Sequence, residues 1–299
     1  MDSIAPGPFD YIDCCGVLHH MAEPAEGLRA LEGVLADDGG MGLMVYGALG
    51  RTGVYDAQAM LRTLADDALD AERLRLARAL IRELPPTNRL RRNALVGDHL
   101  AGGDAGLYDL LLHARDRAYH VAELASLIDA AGLEIVSFIE PARYDPATHL
   151  SDRDLLERLR PLGFIERAAF AELLAGNLKT HVVYVVAKGR AASVVARADD
   201  PAAVPIGRDV DFAAIARGMV TGSPVLSASF DGLTVRFKLP RLATAILSRV
   251  DGKRSLAEIH RAVADTAAPG QSWDEFLAEF RPLYAAFNGV NRMLLRFPA

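Results

Sequence analysis

The residue types best suited to chemistry stand together near the amino terminus, in the run Cys15-Gly16-Val17-Leu18-His19-His20. Imidazoles exchange protons near neutral pH, and a glycine lets backbone come close to a bound molecule. Tyr46 and Gly47 end a second apolar run that begins at Met41. These types suit proton exchange at a binding site formed by the turn. A plainer role is equally open for His19 and also stands for His20, since paired histidines at a helix entrance often only hydrogen-bond to backbone. Metal binding is not expected: adjacent histidines lack the i, i+4 spacing that sets two ligands on one helical face, and no Asp, Glu or Cys cluster accompanies them. Cys14 and Cys15 are the only cysteines. As neighbours in a strand they point to opposite faces, so they read as small packing residues rather than a redox or disulfide pair.

Something must hold that turn in place. Phe9 to Cys15, bounded by Gly7-Pro8 and Gly16, reads as a buried parallel strand. A helix follows, with Pro24 in its first turn, Glu23 and Glu26 near the positive end of its dipole, and Leu28, Leu31 and Leu35 on one face. Asp37-Asp-Gly-Gly40 is read as its stop, and Met41 to Tyr46 as the next strand. Further on, Val121 to Ala131 is helical with Gly132 as its carboxyl cap, and Glu134 to Ile139 and His181 to Lys188 are strands. This order matches half of a doubly wound α/β sheet, in which ligands bind beyond the carboxyl ends of the strands. That edge is where the Cys15–His20 turn and Tyr46 fall.

Two helical insertions interrupt the pattern. Residues 54–84 carry two sets of apolar residues at helical spacing, stopped by Pro85-Pro86. Residues 151–175 begin with a capping pattern at Ser151 and continue into a second helix over Ile165 to Leu174. Such insertions usually carry substrate contacts. Residues 189–208 read as a linker, and 209–299 as a small α+β domain: a strand over Leu233 to Leu239, helices over Leu242 to Val250, Ser255 to Ala264 and Ser272 to Phe287, and a strand over Asn291 to Phe297. Trp273, Phe276, Phe280 and Phe287 are its expected core.

Composition bounds the function. With 299 residues, 51% hydrophobic, the chain can bury the core of about two domains. A net charge of −6 argues against a nucleic acid partner, which favours a basic surface. No apolar run approaches the roughly 20 residues that span a bilayer, and no signal pattern opens the chain, so the expected location is cytoplasmic and no membrane partner is expected.

Phe9 to His20 resembles the fourth-strand signature of class I S-adenosylmethionine-dependent methyltransferases, an FD-hydrophobic run leading to a small residue and a Val-Leu-x-His turn. Ala22 to Gly40, Met41 to Tyr46, Leu133 to Ile139 and His181 to Lys188 resemble the following helix, fifth strand and closing pair, so the resemblance covers Phe9 to Lys188 with insertions. It implies a partial Rossmann-like methyltransferase domain over 1–188, with S-adenosylmethionine as cofactor. It places Cys15, Gly16 and Val17 beside the methionine part of that cofactor, makes His20 with His19 the candidate base, and offers Tyr46, Tyr119 and His120 as substrate wall, with packing the competing role for these three. The family's glycine-rich turn and acidic ribose-binding residue do not precede Phe9. Gly39-Gly40 and Gly102-Gly103 do not replace the turn, since neither follows a strand and opens a helix. In the family's usual strand order, 3-2-1-4-5-7-6, the resemblance implies a truncated domain whose central strand becomes an edge. That edge is expected to be covered by residues 1–8 and an insertion, to pair with a second copy or another chain, or to be poorly stable. The segment Ile246 to His260 resembles the peptide-binding winged-helix proteins of pyrroloquinoline quinone biosynthesis, which implies a winged-helix-like last domain and peptide binding by strand addition. Two functions follow: methyl transfer to a small-molecule or peptide acceptor, or a noncatalytic module that binds a peptide or protein.

Overall fold

The computed structural model describes residues 7–65, 69–219 and 224–297. The first strand, β1 (Phe9–Cys15), leads into a single 3-10 turn, Leu18–His20, and helix α1 (Pro24–Glu32). Gly33-Val34 form a turn, and β2 (Leu35–Gly47) then lies parallel to β1. This corrects the sequence reading twice. The helix ends before Leu35, and Asp37-Asp-Gly-Gly40 is no stop but the irregular start of β2, where the register jumps between Phe9↔Leu35 and Tyr11↔Gly40. Glycine suits that jump because a Cβ on Gly39 would meet the Phe9 carbonyl oxygen at 2.9 Å.

Helices α2 (Val54–Ala65) and α3 (Asp70–Glu83) fill the first insertion as expected. A further helix, α4 (Gly103–Leu111), packs with them around Leu61, Ala77, Leu107 and Leu111. Next come the short strand β3 (Ala118–Tyr119), helix α5 (Val121–Ala130), β4 (Leu133–Phe138), helix α6 (Phe164–Ala175) and β5 (Thr180–Ala187). Between β4 and α6, the helix Arg153–Leu159 is capped by Asp152, whose carboxylate accepts the Leu155 amide at 3.0 Å; Ser151 is not the cap.

The sheet order is β1-β2-β5-β4, with β3 beside β2 and with β5 antiparallel to β2. It reproduces the 4-5-7-6 run of the doubly wound order set out above. Its interior is built by Cys14, Met41, Leu43, Val45, Val183 and Val185. β1 was expected to be buried, yet within it only Cys14 is. Among the described residues β1 pairs with β2 alone, and the Phe9 and Tyr11 side chains on it are exposed. Residues 1–8 with an insertion were one expected cover for this edge, and of these residues 1–6 lie outside the described residues.

The chain divides into two units, residues 1–135 with 162–187, and residues 136–161 with 188–299. In the second unit β6 (Val204–Gly207) pairs antiparallel with β9 (Met293–Arg296), so the end of the segment read as linker is a strand. Helix α7 (Phe212–Gly218), the hairpin β7 (Val225–Phe230) and β8 (Leu233–Lys238), and helices α8 (Ala243–Leu247), α9 (Leu256–Ala264) and α10 (Trp273–Gly289) complete it. Ser255 and Ser272 cap α9 and α10 by accepting the Glu258 and Glu275 amides, each at 3.3 Å. Phe276, Phe280 and Phe287 are fully buried in the core of this unit, with Trp273 packed partly buried against them.

Candidate active site

The turn after β1 is built as its sequence requires. Gly16 adopts φ +78, which an L side chain rarely does, and its amide donates to the Met44 carbonyl at 3.2 Å. The 3-10 turn closes through the His20 amide, which donates to the Val17 carbonyl at 3.0 Å. The Arg117 amide donates to the His19 carbonyl at 3.0 Å, which ties the loop before β3 to the turn. On the neighbouring strand end, Gly50 lies so close to Leu178 and Lys179 that a Cβ would strike their backbone.

His19, His20 and Tyr46 come together here. The His19 ring stacks on Tyr46 with centroids 3.8 Å apart, and His20 meets His19 edge-on at 4.3 Å. His113 joins them, its ring 4.0 Å from that of His20. Beneath lies a buried ion pair: an Arg51 guanidinium nitrogen is 2.9 Å from Asp116 Oδ2, with the two side chains only 6% and 0% exposed. Gln58 donates to the same oxygen at 2.9 Å and the Tyr55 hydroxyl to Oδ1 at 3.4 Å, while Arg51 lies over the Tyr46 ring at 3.7 Å. The sequence reading had not found Arg51, Tyr55, Gln58 or Asp116. Tyr55 and Gln58 stand three apart on α2, one helical face, but Asp116 sits in a loop whose partners are 58 to 65 residues away.

The two histidines differ in state. His20 Nδ1 is 2.9 Å from the Arg115 carbonyl, which can only accept. Nδ1 therefore carries the hydrogen, and in the neutral ring Nε2 holds the free lone pair. His19 is buried with neither ring nitrogen hydrogen-bonded among the described residues. Burial, then the nearby charge of His20, pull its pKa down to about 4; Asp116 opposes this, and Arg51 and His113 reinforce it. Backbone hydrogen bonding, the plain role weighed for both histidines, is thus made by the His20 ring and not by that of His19.

This sets a pH dependence. The unfolded chain takes up the His19 proton near pH 6.5, whereas the folded chain resists until about 4. The unfolded state binds more protons in that window, so stability falls as pH drops from 6.5 to 4, by about 3 kcal/mol from this one group. In denaturant unfolding at pH 7 and pH 4.5, His19→Phe should lose clearly less stability than the wild type; equal losses would show that His19 is not held neutral.

Cys14 is buried and Cys15 exposed, as alternation along a strand requires. Cys15 donates to Asp13 at 2.8 Å. Partial burial, this hydrogen bond and the Asp13 charge push its thiol up to about 11, so it is a neutral donor at physiological pH and no nucleophile. Tyr46 is likewise held protonated, burial raising its pKa first.

The remaining candidates separate. Tyr119, on β3 beside Tyr46 and Gly47, is buried, its hydroxyl without a hydrogen bond among the described residues and Arg117 over its ring at 4.6 Å. His120 turns to another cluster: its Nδ1 is 3.3 Å from Glu172, whose other oxygen accepts the Val121 amide at 2.9 Å. His181 lies 3.4 Å from the same carboxylate and donates to the Tyr119 carbonyl at 3.0 Å. Burial works to raise the Glu172 pKa, but the neighbouring His181 imidazole, the Val121 amide and then His120 outweigh it, and the pKa is lowered. This cluster pins α5 to α6 and β5.

Among the described residues no group of three or more His, Cys, Asp or Glu side chains is placed to hold a metal ion, and no helix is long and apolar enough to cross a membrane. As to an adenosyl cofactor, a Cβ on Gly16 would meet nothing nearer than Met44 Cε at 3.7 Å, and Cys15 and Val17 are exposed. The turn thus leaves space over Gly16, while the Gly16 amide is spent on the Met44 carbonyl and the Cys15 thiol on Asp13.

Structures of PKMT2 from Rickettsia typhi align over nearly the whole chain, with a TM-score of 0.58 at 12% identity. The fold is methyltransferase-like. One of these structures is a complex with AdoHcy, S-adenosylhomocysteine. The alignments cover 97% and 98% of this chain and 58% and 59% of PKMT2. A protein of Synechococcus sp., the uncharacterized protein syc1184_c, is 30% identical over 191 residues, 61% of this chain and 45% of that protein. The chain spans about half the length of these relatives. No protein-family model matches it.

Proposed function

We propose that this chain carries the acceptor-activating part of an S-adenosylmethionine-dependent methyltransferase. The observation that carries the reading is the likeness along the whole chain to a fold solved with AdoHcy, combined with a histidine turn at the carboxyl edge of the sheet, where ligands of such sheets bind. Cys15, Gly16 and Val17 would hold the methionine end. The cofactor, when bound, supplies an electrophilic methyl group. The chain's own residues supply position and a base: Arg115 fixes the His20 tautomer, Nε2 takes the acceptor's proton, and His19 and Tyr46 pack the ring in place. Tyr46 and His113 line the approach.

A second reading has its own support. The exposed Phe9 and Tyr11, on a strand that among the described residues is paired on one side, favour a noncatalytic module that takes a peptide, a second copy or a partner chain by strand addition. Titration with S-adenosylhomocysteine separates the two: saturable binding supports methyl transfer, and its absence in folded protein favours the module.

A further inference from the structure

Beside the histidine turn, α2, α3 and the segment 111–114 enclose a pocket of about 230 Å³, lined by Gln58, Leu61, Arg62, Arg73, Leu112 and His113 among others. Its inner wall is mixed, with the buried leucines Leu61, Leu111 and Leu112 beside the buried Gln58. Its rim is cationic. Arg73 is held by the Leu112 carbonyl at 2.9 Å, with Asp70 at 3.3 Å offsetting part of its charge, and Arg62 has no ion pair among the described residues. The Gln58 amide nitrogen is spent on the Leu110 carbonyl and Asp116, so its carbonyl oxygen is the acceptor left for a guest. His113 belongs to both places, lining the pocket and lying 4.0 Å from the His20 ring.

We propose that this pocket binds a small organic anion, with its carboxylate or phosphate on Arg62 and Arg73 and a single-ring or short aliphatic body against Leu61, Leu111 and Leu112. The Arg62 guanidinium, with the partly offset charge of Arg73 and the leucine side chains also lining the pocket, matches that chemistry, because an arginine fork pairs with a planar or tetrahedral oxyanion. The size sets the class: sites for drug-sized ligands run from roughly 300 to 1,000 Å³, so a nucleotide does not fit and a benzoate-sized molecule does. A guest seated here reaches His113 and then His20. The pocket is therefore the acceptor's anchor, an assignment that rests on the methyl-transfer reading, whereas anion binding itself does not.

Calorimetric titration with benzoate, phenyl phosphate and the neutral isostere benzamide tests it, using the whole chain without cofactor. Benzoate or phenyl phosphate should bind at least about tenfold more tightly than benzamide, the effect of a charge-assisted hydrogen bond. Arg62→Gln, an exposed change that leaves the fold intact, should weaken the anion about tenfold, and the His113 ring signals should shift on binding while those of His149 stay. Equal affinity for benzoate and benzamide, no effect of Arg62→Gln, or no binding of either anion at millimolar concentration would each overturn the assignment. S-adenosylhomocysteine binding without anion binding would sink the pocket and spare the methyl-transfer reading; the reverse would do the opposite.

Discussion

Arg51→Met should lower the unfolding free energy by about 3–5 kcal/mol, the cost of leaving a buried charge without its partner. The Asp116 side chain is fully buried, and Arg51 is its one cationic contact among the described residues; Gln58 and Tyr55 supply neutral hydrogen bonds only. Methionine keeps much of the arginine stem's volume, so the loss reports charge rather than a cavity. Arg51→Met combined with Asp116→Leu should recover much of the stability, because removing both ions also removes their desolvation cost. Denaturant unfolding of the single and double variants gives the coupling. A loss below about 1 kcal/mol in the single variant would place the pair in contact with water. The same change strips the guanidinium from the Tyr46 ring on which His19 lies, so the fold is weakened at the base of the site.

His20→Ala should slow methyl transfer by about 10²–10⁴-fold, the usual contribution of a positioned base. With Nδ1–H donated to the Arg115 carbonyl, the lone pair of the neutral ring is on Nε2. Affinity for S-adenosylhomocysteine should be unchanged, since the residues assigned to the cofactor are Cys15 to Val17. His20→Gln should fail to rescue the rate, because its side chain can hydrogen-bond but takes up no proton at neutral pH. A rate within about threefold of wild type in a labelled S-adenosylmethionine assay would leave His20 a packing residue; rescue by glutamine would make its role one of position.

The sheet was largely legible in the sequence because its strands carry their own signal. Val182 to Val186 is β-branched throughout apart from Tyr184, and Phe9 to Cys15 is cut off by glycine on both sides. What escaped was decided by neighbours rather than composition. Asp37-Asp-Gly-Gly40 reads as a turn, yet β1 on one side and β5 beyond Gly40 draw it into β2. Val204–Gly207 is short and contains a proline, and is a strand only because β9 lies beside it. At the site, the turn that bears His19 and His20 was visible from local spacing. The groups that decide their states were not: the Arg115 carbonyl is 95 residues from His20, and Asp116 meets Arg51, Tyr55 and Gln58 only in the folded chain.

Isothermal titration of the folded chain with S-adenosylhomocysteine tests the central claim most directly. The account predicts saturable one-site binding that is weakened by Gly16→Val, which forces a β-branched side chain into φ +78 where the cofactor's methionine end would lie. No heat of binding from a sample with a cooperative unfolding transition, or binding indifferent to Gly16→Val, would contradict it.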